Sequence, residues 1–414
     1  MQPPLRFPDP GPEPIRAEDP FPIMRWQMIG RVRTSLLLPG ALSLALVALV
    51  ACEPEDAPAP EETAVEAEGD VHDQFLANLA AQCGQSFAGV VNEAPEGDPY
   101  FQPGLELVLT VRECSDEEVR IPVMAGDNAS RTWIFTRTGG GIDLRHDHRY
   151  EDGTPEPNTF YGAFVSEPPM GVEGPSPNAH EFKRERDDGV ITGWRVEIIP
   201  GERYTYGTQR DGEWRHRFDF DLSEPVENPL EPWGHPPVGE VAQLAPEQEE
   251  FWANLAHHCG QTFEGELIER PDPDPNFEGD EVMTVHFRGC GENRLAIPFH
   301  VDDNRSRTWL LTRTTAGLDL RHDHRHEDGS PEPSTWYGAH TPDAGSANRQ
   351  EFIRAGLEEG EPRTGWAIEI VPDERYTYGT VRDGEWRYRI DFDLTTPVDE
   401  APAPWGHEES TAAR

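Results

Sequence analysis

Residues 131–149 read RTWIFTRTGGGIDLRHDHR, and residues 307–325 read RTWLLTRTTAGLDLRHDHR. In the first, Trp133 and Phe135 alternate with polar neighbours up to a glycine turn, and Ile142 and Leu144 resume the alternation after it. A period of two sends successive side chains to opposite faces, so each stretch predicts a β-hairpin with one apolar face. Carried on from Ile142, the register puts His146, His148 and Tyr150 on that apolar face. Asp143, Arg145, Asp147 and Arg149 fall on the other. The charged row is expected outside, in cross-strand ion pairs worth a few tenths of a kcal/mol each.

The duplication extends beyond the hairpin. DQFLANLAAQCGQSF (73–87) matches EEFWANLAHHCGQTF (249–263) at an offset of 176 residues, the same offset as the hairpins. ERYTYGTQRDGEW (202–214) matches ERYTYGTVRDGEW (374–386) at 172, after a shorter loop in the second copy. So long a period means tandem domains, not a solenoid of short repeats. The expected division is a signal peptide over 1–51, a tether over 52–72, a β-domain over 73–222, a linker over 223–248, a second β-domain over 249–394 and a tail over 395–414.

Each copy opens on one helix, because Phe75, Leu79 and Cys83, and likewise Phe251, Leu255 and Cys259, recur every four residues. Short alternating runs follow. Leu105, Leu107, Leu109 and Val111 share a face, as do Val119, Ile121 and Val123. Trp194, Val196 and Ile198 lead through a turn to Tyr204 and Tyr206, and an Asp-Gly turn leads on to Trp214, His216, Phe218, Phe220 and Leu222. The fold class is therefore mainly β: two tandem antiparallel barrels, lipocalin-like and closed, or two sandwiches, each with an N-terminal helix.

Cys83 and Cys114 correspond to Cys259 and Cys290 at the repeat offset. The simplest pairing is one disulfide within each copy, worth roughly 3–4 kcal/mol each in the chain-entropy model. Free or metal-binding thiols are the alternative, without a C-x-x-C spacing to support them.

Composition limits the partners. With 78 acidic residues against 35 basic and a formal net charge of −43, the chain is a poor ligand for nucleic acid or for anionic membrane surfaces. Lys183 is the only lysine. An acid-rich, lysine-poor surface suits high salt, and a GC-rich genome favouring arginine codons accounts for it equally well.

Near the N-terminus, Arg25, Arg31 and Arg33 precede the apolar run LLLPGALSLALVALVA. This is the layout of a secretion signal, and the run is too short and too interrupted for a good membrane span. The proline-rich, acidic residues 1–23 are unlike an n-region, so translation is expected to begin at Met24 or Met28. Leu49, Val50, Ala51 and Cys52 resemble the lipobox of bacterial lipoproteins. That resemblance implies cleavage before Cys52, diacylation of its thiol and, with Glu53 next, an outer-membrane anchor facing the periplasm or the exterior. The mature domains also resemble uncharacterised bacterial secreted proteins with an LRHDHRxEDG segment, a resemblance that brings no activity with it.

Side chains two apart on a strand have Cα atoms about 6.5–7 Å apart on one face, so His146 and His148 could share a cation. In the second copy His322, His324 and His326 lengthen the series. Zinc or copper would suit such a set, completed by Glu151 or Asp152, or by Glu327 or Asp328. The alternative is that each imidazole hydrogen-bonds an inward tyrosine or carboxylate, as buried polar groups must. Arg131, Arg137, Tyr161 and Tyr204 are candidates to line a cavity for an anionic or polar ligand. No G-x-S-x-G, H-E-x-x-H, Walker or dinucleotide motif occurs. The expected function is a non-enzymatic binding or envelope module on an outer-membrane anchor, its partner a small ligand or an envelope protein. A metal-dependent enzyme using the H-x-H strand, and a structural spacer without ligand, are the alternatives.

Overall fold

The computed structural model describes residues 70–98, 101–166, 174–186, 188–228, 230–272, 274, 277, 279–358 and 360–407. The signal segment, Cys52 and residues 53–69 of the expected tether lie outside the described residues.

The two copies form two antiparallel β-barrels of ten strands each, two more than a lipocalin has. In the first barrel the strands are β1 (Ser86–Glu93), β2 (Glu106–Thr110), β3 (Glu118–Ala125), β4 (Asn128–Thr138), β5 (Gly141–His148), β6 (Tyr161–Ser166), β7 (Ala179–Glu185), β8 (Ile191–Ile199), β9 (Arg203–Arg210) and β10 (Arg217–Val226). In the second they are β11 (Thr262–Glu269), β12 (Met283–His286), β13 (Arg294–Val301), β14 (Asn304–Thr314), β15 (Gly317–His324), β16 (Tyr337–His340), β17 (Arg349–Ile353), β18 (Thr364–Val371), β19 (Arg375–Arg382) and β20 (Glu385–Asp393). Each strand neighbours the next in the chain, and the last pairs with the first. This up-and-down order closes the second ring and nearly closes the first, leaving few free sheet edges. The second ring is laddered all the way round, though β16 and β17 meet only through His340 and Ile353. In the first, β6 and β7 carry no ladder between them.

Helix α1 (Val71–Ala80) begins at Asp70, whose side chain accepts the His72 N–H as an N-cap. Helix α2 (Pro246–Ala256) opens on proline, which has no N–H to leave unpaired. Phe75, Leu76 and Leu79 of α1, and Phe251, Trp252 and Leu255 of α2, are buried in the cores of their barrels. Cys83 lies in the turn just beyond α1, not on its face, and bonds Cys114 with a Cα separation of 6.2 Å. Cys259 and Cys290 form the equivalent bridge at 6.1 Å.

One expectation about the last strands fails. Trp214 does not share the inner face with Phe218 and Phe220. The N–H groups of Arg215 and His216 both donate to the Thr208 carbonyl, a bulge that shifts the alternation by one residue. Trp214 therefore lies outside, with the Arg195 guanidinium 5.4 Å from its ring.

A larger correction concerns the charged row. Asp143, Arg145, Asp147 and Arg149 do face outward from their barrel, yet all are buried, because the second barrel docks on that face. Arg149 Nη2 reaches Asp319 Oδ2 at 2.8 Å, and reciprocally Arg325 Nη2 reaches Asp143 Oδ2 at 3.1 Å. The backbone repeats this reciprocity: Gly139 N–H donates to Gly406 O, and Thr315 N–H donates to Gly234 O. Two equivalent surfaces meet, as in an isologous dimer, here within one chain. Ile134, Phe160, Leu310 and Trp336 form a small apolar cluster of their own at the contact, where Phe160 and Trp336 stack at 5.6 Å. Equivalent positions that face each other have diverged. Glu118 meets Arg294 at 2.9 Å, and Trp336 Nε1 donates to Asp143 at 3.0 Å, a bond that Phe160 has no donor to mirror.

Candidate functional site

The interior of the first barrel is not wholly apolar. A cavity of about 50 Å³ is walled by Trp133 and Trp194 and edged by Arg131, His146, His148 and Tyr161. A water needs about 10–15 Å³ on this measure, so the space suits a few waters or a ligand of a few heavy atoms. β4 contributes Arg131 and Trp133, which alternate inward on one strand, and β5 contributes the two histidines opposite them. Arg131 pairs with His148, and Trp133 with His146.

Both imidazoles of the H-x-H pair thus turn inward with Ile142 and Leu144, their rings 6.5 Å apart. His146 is held on both sides. Its Nδ1 lies 3.1 Å from the Tyr161 carbonyl, to which it donates, and its Nε2 accepts the Tyr206 hydroxyl at 2.6 Å. Its ring also stacks on Tyr161 at 4.8 Å. His148 Nε2 lies 3.1 Å from the Tyr161 hydroxyl. The second barrel repeats these contacts through His322, Tyr378, His324 and Tyr337. A metal bound at His146 or His322 would have to displace a tyrosine hydroxyl.

His326 does not join its neighbours. Strand β15 ends at His324, and the chain turns where Asp328 accepts from the Ser330 N–H and hydroxyl, leaving His326 exposed. Glu151, Asp152, Glu327 and Asp328 are exposed on these turns as well, away from the barrel interiors. Arg131 and Tyr161 line the cavity, whereas Arg137 and Tyr204 do not. Arg137 sits at the barrel end, tied to Asp70 and to Asp73 of α1. Tyr204 is packed deeper, 6.0 Å from Phe220, and its hydroxyl has no hydrogen-bond partner among the described residues. Tyr206 and His216 also line the cavity and were not singled out from sequence, although inward alternation on the last strands marked their face. His235 and His407, from the PWGH that ends each copy, pair outside the barrels with Asp147 at 3.0 Å and Asp323 at 2.7 Å.

Burial sets the electrostatics. It lowers His146 to about 3, and it holds His148 well below the usual imidazole range, with the nearby Arg131 charge adding to the effect. Both rings are therefore neutral at pH 7. Burial also pulls Arg131 down to about 9, against the opposing pull of Tyr161 and Glu156. Tyr206 is raised well above the usual phenol range by burial, so its hydroxyl keeps its proton. The result is a largely apolar pocket with one partly desolvated cation at its edge, suited to a small anionic or polar group.

No family model matches the chain, and no curated protein matches its sequence. Among solved structures, the chain is similar to a protein of unknown function of the DUF3598 family from Nostoc punctiforme. The two share 11% identity at a TM-score of 0.22, over 78% of this chain and 97% of that one. It is also similar to a candidate outer membrane protein from Bacteroides fragilis, at 8% identity and a TM-score of 0.16, over 76% and 97%. Similarity this loose carries no functional assignment. Among the described residues no helix is long and apolar enough to cross a membrane.

Proposed function

We propose that the protein is a non-enzymatic binding module for a small anionic or polar ligand, lodged in the first barrel and tethered to the outer membrane through Cys52. The observation that carries this reading is the Arg131 guanidinium, 5% exposed, beside His148 and Tyr161 at the cavity edge. A desolvated cation gains more from a counter-charge than a solvated one does. The cavity volume favours an oxyanion or a short carboxylate over a lipid. The lipobox resemblance supports the anchor, and the within-copy disulfides fit an oxidising compartment.

Titration with inorganic phosphate and with acetate tests the ligand class, read by tryptophan fluorescence because Trp133 and Trp194 wall the cavity. Saturable quenching, lost in Arg131→Met, is expected. No saturable response to either anion would leave the spacer reading standing. Palmitate labelling, abolished in Cys52→Ser, tests the anchor. The H-x-H enzyme reading, with zinc or copper, has less support, since both nitrogens of His146 and of His322 are already engaged.

A further inference from the structure

The second copy carries a group of side chains that the first lacks. His257 and His258 follow α2, and Asp373 sits in the turn between β18 and β19. One ligand atom from each lies within 4.8 Å of the other two, the only such trio of histidine, cysteine or carboxylate among the described residues. The equivalent residues in the first copy are Ala81, Gln82 and Gly201, none of which offers a ligand of that kind.

The parts are prepared in different ways. His258 is buried, packed edge-on against Phe263 at 5.5 Å. Its Nδ1 lies 3.1 Å from Gln261 Oε1, an acceptor, so Nδ1 carries the proton and Nε2 presents its lone pair. That Nε2 accepts the Asp373 backbone N–H over 3.4 Å, a long and weak bond that a cation would displace. A ligating histidine held by an outer hydrogen bond is the usual arrangement in metal sites. His257 Nε2 lies 3.1 Å from Asp373 Oδ1, and these two side chains are 58% and 75% exposed, open to an ion from solvent. The next residue, Cys259, is clamped by its disulfide. The site also lies at the C-terminal end of α2, where the helix dipole favours positive charge.

We infer that His257, His258 and Asp373 form a surface site for one borderline divalent cation, of which zinc is the probe, with the remaining coordination positions left to water. Bond lengths of about 2.0–2.1 Å in tetrahedral geometry require ligand atoms roughly 3.3 Å apart. His257 Nε2 and Asp373 Oδ1, 3.1 Å apart on exposed side chains, already stand near that spacing. Two imidazoles and a carboxylate favour zinc, copper or nickel over calcium or magnesium, which take oxygen ligands.

The test is equilibrium dialysis of the full chain against zinc after chelator treatment, with metal quantified per chain. The expected result is one zinc that is lost in His257→Ala and in Asp373→Asn, both exposed positions where folding is not at stake. Gln261→Ala should weaken it by about 10–100-fold, the usual cost of removing an outer hydrogen bond. His148→Ala, in the barrel, should leave this zinc in place. Absence of saturable zinc binding in the wild-type chain would overturn the assignment, as would binding that survives both His257→Ala and Asp373→Asn.

Discussion

Asp143 and His146 lie three residues apart on β5, and both are buried, but different bodies cover them. His146 is enclosed by its own barrel, through Tyr161, Trp194 and Tyr206. Asp143 is enclosed by the other barrel, through Arg325 and Trp336. The inner face would keep its surroundings if the barrels parted, whereas the outer face would lose them. Alternation says which side a residue takes. It says nothing about what will cover that side.

Two arginines at the centre of the outer face are each held by three acceptors. Arg149 donates to Asp147 at 2.9 Å, to Asp319 at 2.8 Å and to the Gly153 carbonyl at 3.2 Å. Arg325 makes the same three bonds on its side, to Asp323, Asp143 and Gly329. Desolvation makes such pairs weak net stabilisers when intact, and costly when one partner is removed. They therefore act chiefly to fix how the barrels dock. Glu118 against Arg294 adds directionality, since two first copies meeting in this way would bring Glu118 against Glu118.

Acid should separate the two faces most widely. His146 has a folded value of about 3 against about 6.5 when unfolded. Its contribution is therefore complete above pH 6.5 and is lost as pH falls from there toward 3. On the outer face, burial pushes the Asp147 carboxyl up, but Arg149 and His235 outweigh it and hold it well below the usual carboxylate range. Asp323 behaves likewise with Arg325 and His407. Their contribution is lost only as pH falls below about 4. Thermal melts from pH 8 to pH 3 should show the midpoint falling in two stages, and a flat profile between pH 6.5 and 5 would contradict the neutral, buried imidazoles.

A single break in the outer face comes next in size. Arg149→Met should cost about 3–5 kcal/mol by leaving buried carboxylates uncompensated, and the reciprocal Arg325→Met should cost about the same. Denaturant unfolding of the full chain measures both, and a loss below about 1 kcal/mol would mean that this face is solvated. On the inner face, Tyr206→Phe should cost about 1–3 kcal/mol, because His146 Nε2 is left without its donor. The same variant should raise the accessibility of His146 to metals, measured as zinc uptake beyond the wild-type stoichiometry. The smallest effect belongs to the barrel end. Arg137→Ala, which unties Asp70 and the half-exposed Asp73, should change stability by about 0–1 kcal/mol and leave anion binding unchanged.

Much of this was legible from residues alone because it is local. The inward turn of His146 and His148 follows from Ile142 and Leu144 on the same strand, and the two copies with their paired cysteines follow from the repeat offset. His326 was misplaced because a turn two residues further on, built on Asp328 and Ser330, ends the run. The bulge at Arg215 and His216 carries no marker in a single sequence. The cross-barrel partners of Asp143 and Arg149 lie more than 160 residues away in the chain.

What the sequence by itself determined is the β class, the duplication, and which side chains share a face, because each depends on a backbone period that short-range sterics impose. What only the tertiary structure decided is barrel over sandwich, the burial of the charged row between the two copies, and the meeting of His257, His258 and Asp373. Each of these depends on distant segments coming into contact, and contact across space is set by packing rather than by spacing along the chain.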